Sequence, residues 1–438
     1  MSEPSGPASP PTGSSADEAH PDARRSADLR RRAWAVVVGV VTAAVYLPAV
    51  VSVGLRTDTG AHLRFAESMA LTGREYGPYY LFEQLTVIVR ALIPFGALAR
   101  LHAPWGERAA TWDVAGVVVV VAFVVLLAEV VYQRFVTTLD GTNRRVAPPV
   151  GAVLALLVLL VTPITVLTWD RHQLLTGYVN ITSYENPTVN VVRPLALVLF
   201  WLLIDRFSGR ARPRVVAAAA ALSFLALAAK PSYTICLLPA MALLAAWSLV
   251  RRRPVDWRLL LVGFVGPSLV GLAFQFWATR SLEGGVGVAP FKIVRQLLES
   301  RGLSPWTFVP LLILSVLFPA VVAAAYWRRG TATLSWIMAW VTFGVGLAVF
   351  CLLTITGRRD YGDFVWGAQI ALFVLFVESV RLVLPEVFRQ RPVGPDAEVA
   401  GRPRVDLRVA AVTIAFALHL VCGGVLWYHE VVTPAAWW

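Results

Sequence analysis

Long apolar runs alternate with short Arg-rich segments along this chain, and the pattern predicts helices that cross a bilayer. A span needs ~20 mainly apolar residues. The first such run is Ala33–Leu55. It is followed by Val114–Tyr132, Pro149–Leu167, Val191–Ile204, Val215–Ala229 and Thr234–Val250. Leu259–Phe276, Phe308–Tyr326, Leu334–Thr354, Ala368–Val383 and Val409–Tyr428 bring the total to eleven. Pro267 and Gly271 interrupt one of them, and none is expected to carry a charge at its centre. A further stretch, Tyr79–Leu98, carries Glu83 and Arg90 and is broken by Pro94.

Charge decides how that stretch is placed. If it does not cross, Arg134, Arg144 and Arg145, the Arg206–Arg214 cluster, Arg251–Arg253, Arg328 and Arg329, and the Arg389–Arg404 group all face the cytoplasm. Lys and Arg are favoured on that side. Crossing would move every cluster outside, against the Arg-rich N-terminus. Tyr79–Leu98 is therefore expected to lie at the interface inside a long outer loop, residues 56–113, with the N-terminus in the cytoplasm and the C-terminus outside.

Composition agrees. Of 438 residues, 57% are hydrophobic and 15% charged, against ~25% charged in soluble domains, and the mean hydropathy is +0.65. Soluble classes are excluded. Cys236, Cys351 and Cys422 all sit in apolar runs, where they pack as small hydrophobes and make no disulfide framework. The net charge of +12 comes from Arg residues that bracket spans, so it marks topology and anionic headgroups and gives no reason to invoke nucleic acid. The expected protein is all-α, polytopic and multi-pass in the plasma membrane. Residues 1–32, rich in Ser, Pro, Ala and Asp before the basic stretch, read as a disordered cytoplasmic tail ahead of a transmembrane domain, 33–438.

Four polar segments fall on the outer side. Arg56–His62 follows the first span and holds Asp58 and His62. If a helix starts near Thr59, His62, Phe65, Ala66 and Met69 share one side. Asp58 then either caps that helix or serves as a functional carboxylate, and both readings stand. Trp169–Thr188 holds Tyr178, Asn180, Glu185 and Asn186. Rings stack on sugars and amides pair with hydroxyls, although an aromatic interfacial anchor has the same composition. Lys230 ends a short span and either snorkels or meets a lipid phosphate. Arg358 and Arg359 offer a phosphate clamp or pair with Asp360 and Asp363. No Walker loop, dinucleotide fingerprint, zinc spacing or nucleophile elbow occurs.

These features resemble the GT-C glycosyltransferases. Asp58 matches that family's carboxylate after the first span, and Thr59–Leu71 with Tyr79–Leu98 look like its juxtamembrane helices. Pro78-Tyr-Tyr-Leu-Phe is similar to the stretch that leads the second of these. The resemblance implies transfer of a sugar from a polyprenyl-phosphate donor to a cell-envelope glycan or lipid acceptor at the outer face. Asp58 would be the base, and His62, Tyr178, Asn180, Glu185, Asn186, Lys230, Arg358 and Arg359 would bind substrate. Membrane lipids are the other expected partners. No cofactor is implied, and no residue pattern indicates a divalent metal. Thr59 stands where the family carries a second acid, and no soluble domain is expected after the last span. A polysaccharide polymerase or ligase and a lipid-linked-sugar transporter or flippase are the competing readings. The first usually places Arg and His in a late outer loop, where Arg280–Pro305 has no His.

Overall fold

The computed structural model describes residues 21–73, 80–94, 110–140, 146–168, 175, 177–279, 285–355, 364–388 and 406–432. The protein is a polytopic helical membrane protein. Each of the eleven apolar runs lies wholly or largely in a helix. Eight helical segments are long and apolar enough to cross a membrane. In chain order these are α1 (Pro21–Ser52), α4 (Ala110–Asp140), α6 (Pro187–Arg206), α8 (Ser232–Val250), a π-helical turn continuing into α9 (Gly266–Thr279), α11 (Phe308–Thr331), α12 (Leu334–Leu352) and α14 (Leu407–Val432). Two shorter apolar helices join them, α5 (Ala147–Leu160) and α7 (Pro213–Ala229). The last member, α13 (Val365–Val387), is buried nearly all round at the centre. A helix that buries side chains on every side belongs in such a position.

Between α1 and α4 lie two shorter helices, α2 (Asp58–Thr72) and α3 (Leu81–Leu92). At ~1.5 Å per residue, the 12 residues of α3 reach ~18 Å, well short of the ~30 Å hydrocarbon core. The buried stripe of α2 is Thr59, Gly60, Leu63 and Ala66. It is rotated from the expected His62–Phe65–Met69 side because Leu63 drops against Gly116 of α4. Outside the helices, α10 (Lys292–Glu299) buries Ile293, Val294 and Leu298. Strand β1 (Val286–Val288) pairs antiparallel with β2 (Leu353–Ile355), tying this loop to the end of α12.

Small residues let the central helices close up, as membrane interfaces require. A Cβ on Gly367 of α13 would sit 2.5 Å from Cys236 Sγ and 2.7 Å from the Ser232 carbonyl of α8. All three cysteines are free and buried.

The structure corrects three expectations. First, the run Pro149–Leu167 is not one helix. α5 stops at Leu160, and residues 161–165 continue as extended, buried backbone. Thr162 N–H donates to the His419 carbonyl (3.3 Å) and Ile164 N–H to the Leu314 carbonyl (3.3 Å). Buried backbone must find partners, and α14 and α11 supply them. Second, α1 is helical from Pro21, so the basic stretch before Ala33 is helix, held by Arg31 Nε to Gln133 (2.7 Å). Third, charges do enter the bundle. Glu378 of α13 is fully buried and accepts from Trp201 Nε1 (2.7 Å) and Arg381 Nη2 (2.6 Å). Pairing of this kind is what permits a buried charge. Arg134 forks onto Asp205 (2.8 and 3.0 Å) and stacks over Trp201, extending that network to α4.

Candidate functional site

The end of the bundle that carries α2 and α3 gathers most of the polar groups singled out above. α6 begins there. Asn186 is its N-cap, accepting from Val189 N–H (3.1 Å) through Oδ1, and Pro187 follows at the first helical position. Both choices suit a helix start. Capping uses Oδ1, which also accepts from the Thr188 hydroxyl (2.8 Å), and this turns the amide Nδ2 outward to donate to Asp58 Oδ2 (2.9 Å). Thr188 in turn accepts from Lys230 Nζ (3.1 Å). A continuous hydrogen-bonded chain thus runs Asp58–Asn186–Thr188–Lys230 across three elements. The Lys230 ammonium also lies 4.9 Å from the Trp366 ring. Trp366 belongs to the same polar segment as Arg358 and Arg359, and those two arginines lie outside the described residues.

Asp58 is exposed and opens α2, where the helix dipole favours a carboxylate. It is not the cap. The cap position is Thr57, whose side chain makes no capping bond. Among the described residues the Asn186 amide is the one hydrogen-bond partner of the Asp58 side chain.

A second carboxyl is fixed beside the first by backbone. Thr59 donates both its N–H (3.0 Å) and its hydroxyl (2.8 Å) to the Glu185 carbonyl. Burial pushes the Glu185 carboxyl up to about 7, and the nearby charges of Asp58 and Glu430 add to the rise. Glu430, near the end of α14, is held by Ser52 of α1, which donates to its carbonyl (2.8 Å). Desolvation and like charge both disfavour ionisation, so near neutral pH the Glu185 carboxyl retains a proton for part of the time. Among the described residues no group of three or more His, Cys, Asp or Glu converges closely enough to hold a metal ion.

The other predicted residues divide. His62 Nδ1 hydrogen-bonds the buried Glu83 carboxyl of α3, and its ring meets Phe65 and Phe82 edge-on. Its direct role is to join α2 to α3. Tyr178 packs into a separate apolar cluster with Ile293, Leu298, Phe308 and Phe350, away from Asp58. Asn180 is buried and spends its Oδ1 on Ile181 N–H (2.7 Å) and Thr182 N–H (3.2 Å). It shapes the loop and does not present its amide to the site. Trp169–His172 lies outside the described residues apart from its neighbour Thr168.

Sequence reasoning passed over two groups. Glu430 sits just beyond the last apolar run, in the place of an ordinary boundary charge. Arg193 stands three residues inside a run otherwise read as apolar. It is 2% exposed, donates to the Ile181 carbonyl and lies over the Phe373 ring at 5.4 Å. The charge beside Pro194 was the available signal.

No family model matches the chain, and no curated protein does. Among solved structures it is similar to the crystal structure of ArnT from Cupriavidus metallidurans in the apo state. The identity is 17% and the TM-score 0.46, over 92% of this chain and 78% of that one.

Proposed function

We propose that this protein is a membrane glycosyltransferase that moves a sugar from a polyprenyl-phosphate donor to a cell-envelope acceptor at the outer face. The observation that carries the reading is the hydrogen-bonded chain from Asp58 to Lys230. It couples an exposed carboxylate to a buried ammonium through an amide and a hydroxyl. Asn186 fixes Oδ2 of Asp58, which leaves Oδ1 to take the proton of an acceptor hydroxyl. The acceptor oxygen then bonds to the anomeric carbon, the bond from that carbon to the phosphate oxygen breaks, and the phosphate departs with the electron pair. General-base assistance of this kind contributes ~10²–10⁴ in rate. Lys230 supplies positive potential on the side of the leaving phosphate, and Glu185, kept partly protonated, donates to a sugar or acceptor oxygen beside Asp58.

The test is direct. The full-length protein, purified and reconstituted, is supplied with a panel of labelled polyprenyl-phosphate sugars and envelope acceptors. Transfer from at least one donor supports the reading, and no transfer from any defeats it. Orientation has its own test. An Arg64→Cys variant on exposed α2 should react with an impermeant thiol reagent from outside, and Arg251→Cys should not. The three native cysteines are buried and give little background.

A non-enzymatic transporter is the second reading. One observation favours it: α5 breaks into extended backbone inside the bundle, as discontinuous transporter helices do. Movement of a fluorescent lipid-linked sugar across proteoliposomes without transfer would select it.

A further inference from the structure

Asn186, Asn190 and Arg193 are spaced i, i+4 and i+7, so they form one stripe down the first turns of α6. At the top, Asn186 holds Asp58. Facing this stripe, α13 presents Trp366, Gln369 and Phe373 at i, i+3 and i+7, and the two helices meet where Arg193 lies over Phe373. Between them the polar groups are buried and largely unused. Asn190 is fully buried, and neither its Oδ1 nor its Nδ2 has a hydrogen-bond partner. Gln369 is 8% exposed, with Oε1 unpartnered. Arg193 is 2% exposed, with Nε unpartnered and a single hydrogen bond, to the Ile181 carbonyl.

Charge makes this more than a polar gap. Arg cannot discharge itself by losing a proton, and a buried cation without a counter-charge is strongly unfavourable. Among the described residues no carboxylate pairs with Arg193. The ionisable neighbours that act on it are the phenols of Tyr46 and Tyr184, and neutral phenols do not cancel a charge. Internal water would satisfy the amides but would leave the charge in place. Only an anion does both. Its oxygens would accept from Arg193 and from the Asn190 and Gln369 amides, and the remaining amide oxygens would accept from hydroxyls attached to it.

We infer that Arg193, Asn190 and Gln369 form a buried anion subsite that takes the phosphate group of the donor. The identity of that phosphate as the donor's rests on the glycosyltransferase reading, and the existence of the subsite does not. The subsite places the leaving group along α6 from Asp58 and does not call on Arg358 or Arg359.

The experiment uses full-length protein in detergent and follows thermal unfolding with inorganic phosphate, farnesyl phosphate or farnesol. A ligand that binds the native state raises the midpoint by an amount that grows with the logarithm of one plus the ratio of its concentration to Kd. Farnesyl phosphate should raise it and farnesol should not. If inorganic phosphate acts as well, the subsite recognises the phosphate alone. If it does not, the lipid-borne headgroup is the ligand, and either result supports the subsite. Arg193→Met should weaken farnesyl phosphate at least tenfold while leaving the ligand-free midpoint unchanged or higher, because a buried charge has been removed. Asn190→Leu should weaken it similarly and carries the test if Arg193→Met fails to fold. Equal effects of farnesol and farnesyl phosphate, no effect of either anion, or full affinity in the variant that folds would overturn the subsite. Sugar transfer with full anion affinity in both variants overturns the subsite and leaves the glycosyltransferase reading standing. Anion binding lost in the variants, with no transfer from any donor, does the reverse.

Discussion

Replacing Glu185 with Gln removes a carboxyl whose titration is displaced towards neutrality, and its consequence for stability can be worked out. Burial, then Asp58, then Glu430 raise the group from 4.5 to about 7 in the folded protein. Between those two values the folded chain holds a proton that the unfolded chain has released. Stability therefore falls as pH rises through this window, and it is greatest below 4.5. At ~1.4 kcal/mol per unit, the full penalty well above pH 7 is about 3.5 kcal/mol. Gln resembles the protonated form and titrates nowhere. The variant should thus exceed the wild type by about 1 kcal/mol or less at pH 5 and by about 3 kcal/mol at pH 8. Thermal unfolding in detergent, scanned from pH 5 to 8 on both proteins, reads the difference. Midpoints that fall together with pH, or a variant less stable at pH 8, would refute the account of Glu185 as a desolvated carboxyl beside Asp58.

Other consequences follow from the packing and the charges. A Cβ on Gly423 would lie 1.6 Å from the Leu160 carbonyl, and one on Gly424 meets nothing within 4 Å. Gly423→Ala should therefore destabilise by at least ~1–3 kcal/mol while Gly424→Ala is nearly silent, as thermal melts of the pair will show. Arg381→Met strands the buried Glu378 carboxyl and should cost ~3–5 kcal/mol, and adding Glu378→Gln should recover most of it in the same melt. Lys230→Met keeps the buried stem and removes the ammonium that reaches Thr188 and Trp366. Initial rates measured against donor concentration should show a raised KM for donor.

What the sequence disclosed follows from what lipid demands. A crossing helix must be apolar wherever it faces lipid, so α1, α4 and α14 stand out as runs with charged ends. The amphipathic α3 is equally plain from its length and its Glu and Arg. The break after α5 was hidden, because Thr162, Pro163 and Ile164 continue an apolar run whether they are helical or extended. The partners that settle the matter, His419 and Leu314, lie far away in sequence. The same distinction runs through the site. Asp58, Asn186 and Lys230 could be singled out because they are polar residues at the ends of apolar runs. Tyr178 and Asn180 have the composition of a sugar-binding loop, but their neighbours absorb them, one in an apolar cluster and one in its own turn. Arg193 escaped because its position near a run's start looks like an ordinary boundary charge.

The central claim is that Asp58 takes the acceptor's proton, and Asp58→Asn measured on one preparation for both stability and turnover tests it most directly. The amide keeps the shape and can still meet Asn186 through its oxygen, but it cannot accept a proton. The account predicts a thermal midpoint within the effect of under ~1 kcal/mol expected for a charge at a helix start, with transfer from the polyprenyl-phosphate donor reduced ~10²-fold or more. A folded Asp58→Asn protein that transfers sugar at the wild-type rate would contradict it, and Glu185 would then be the carboxyl to examine.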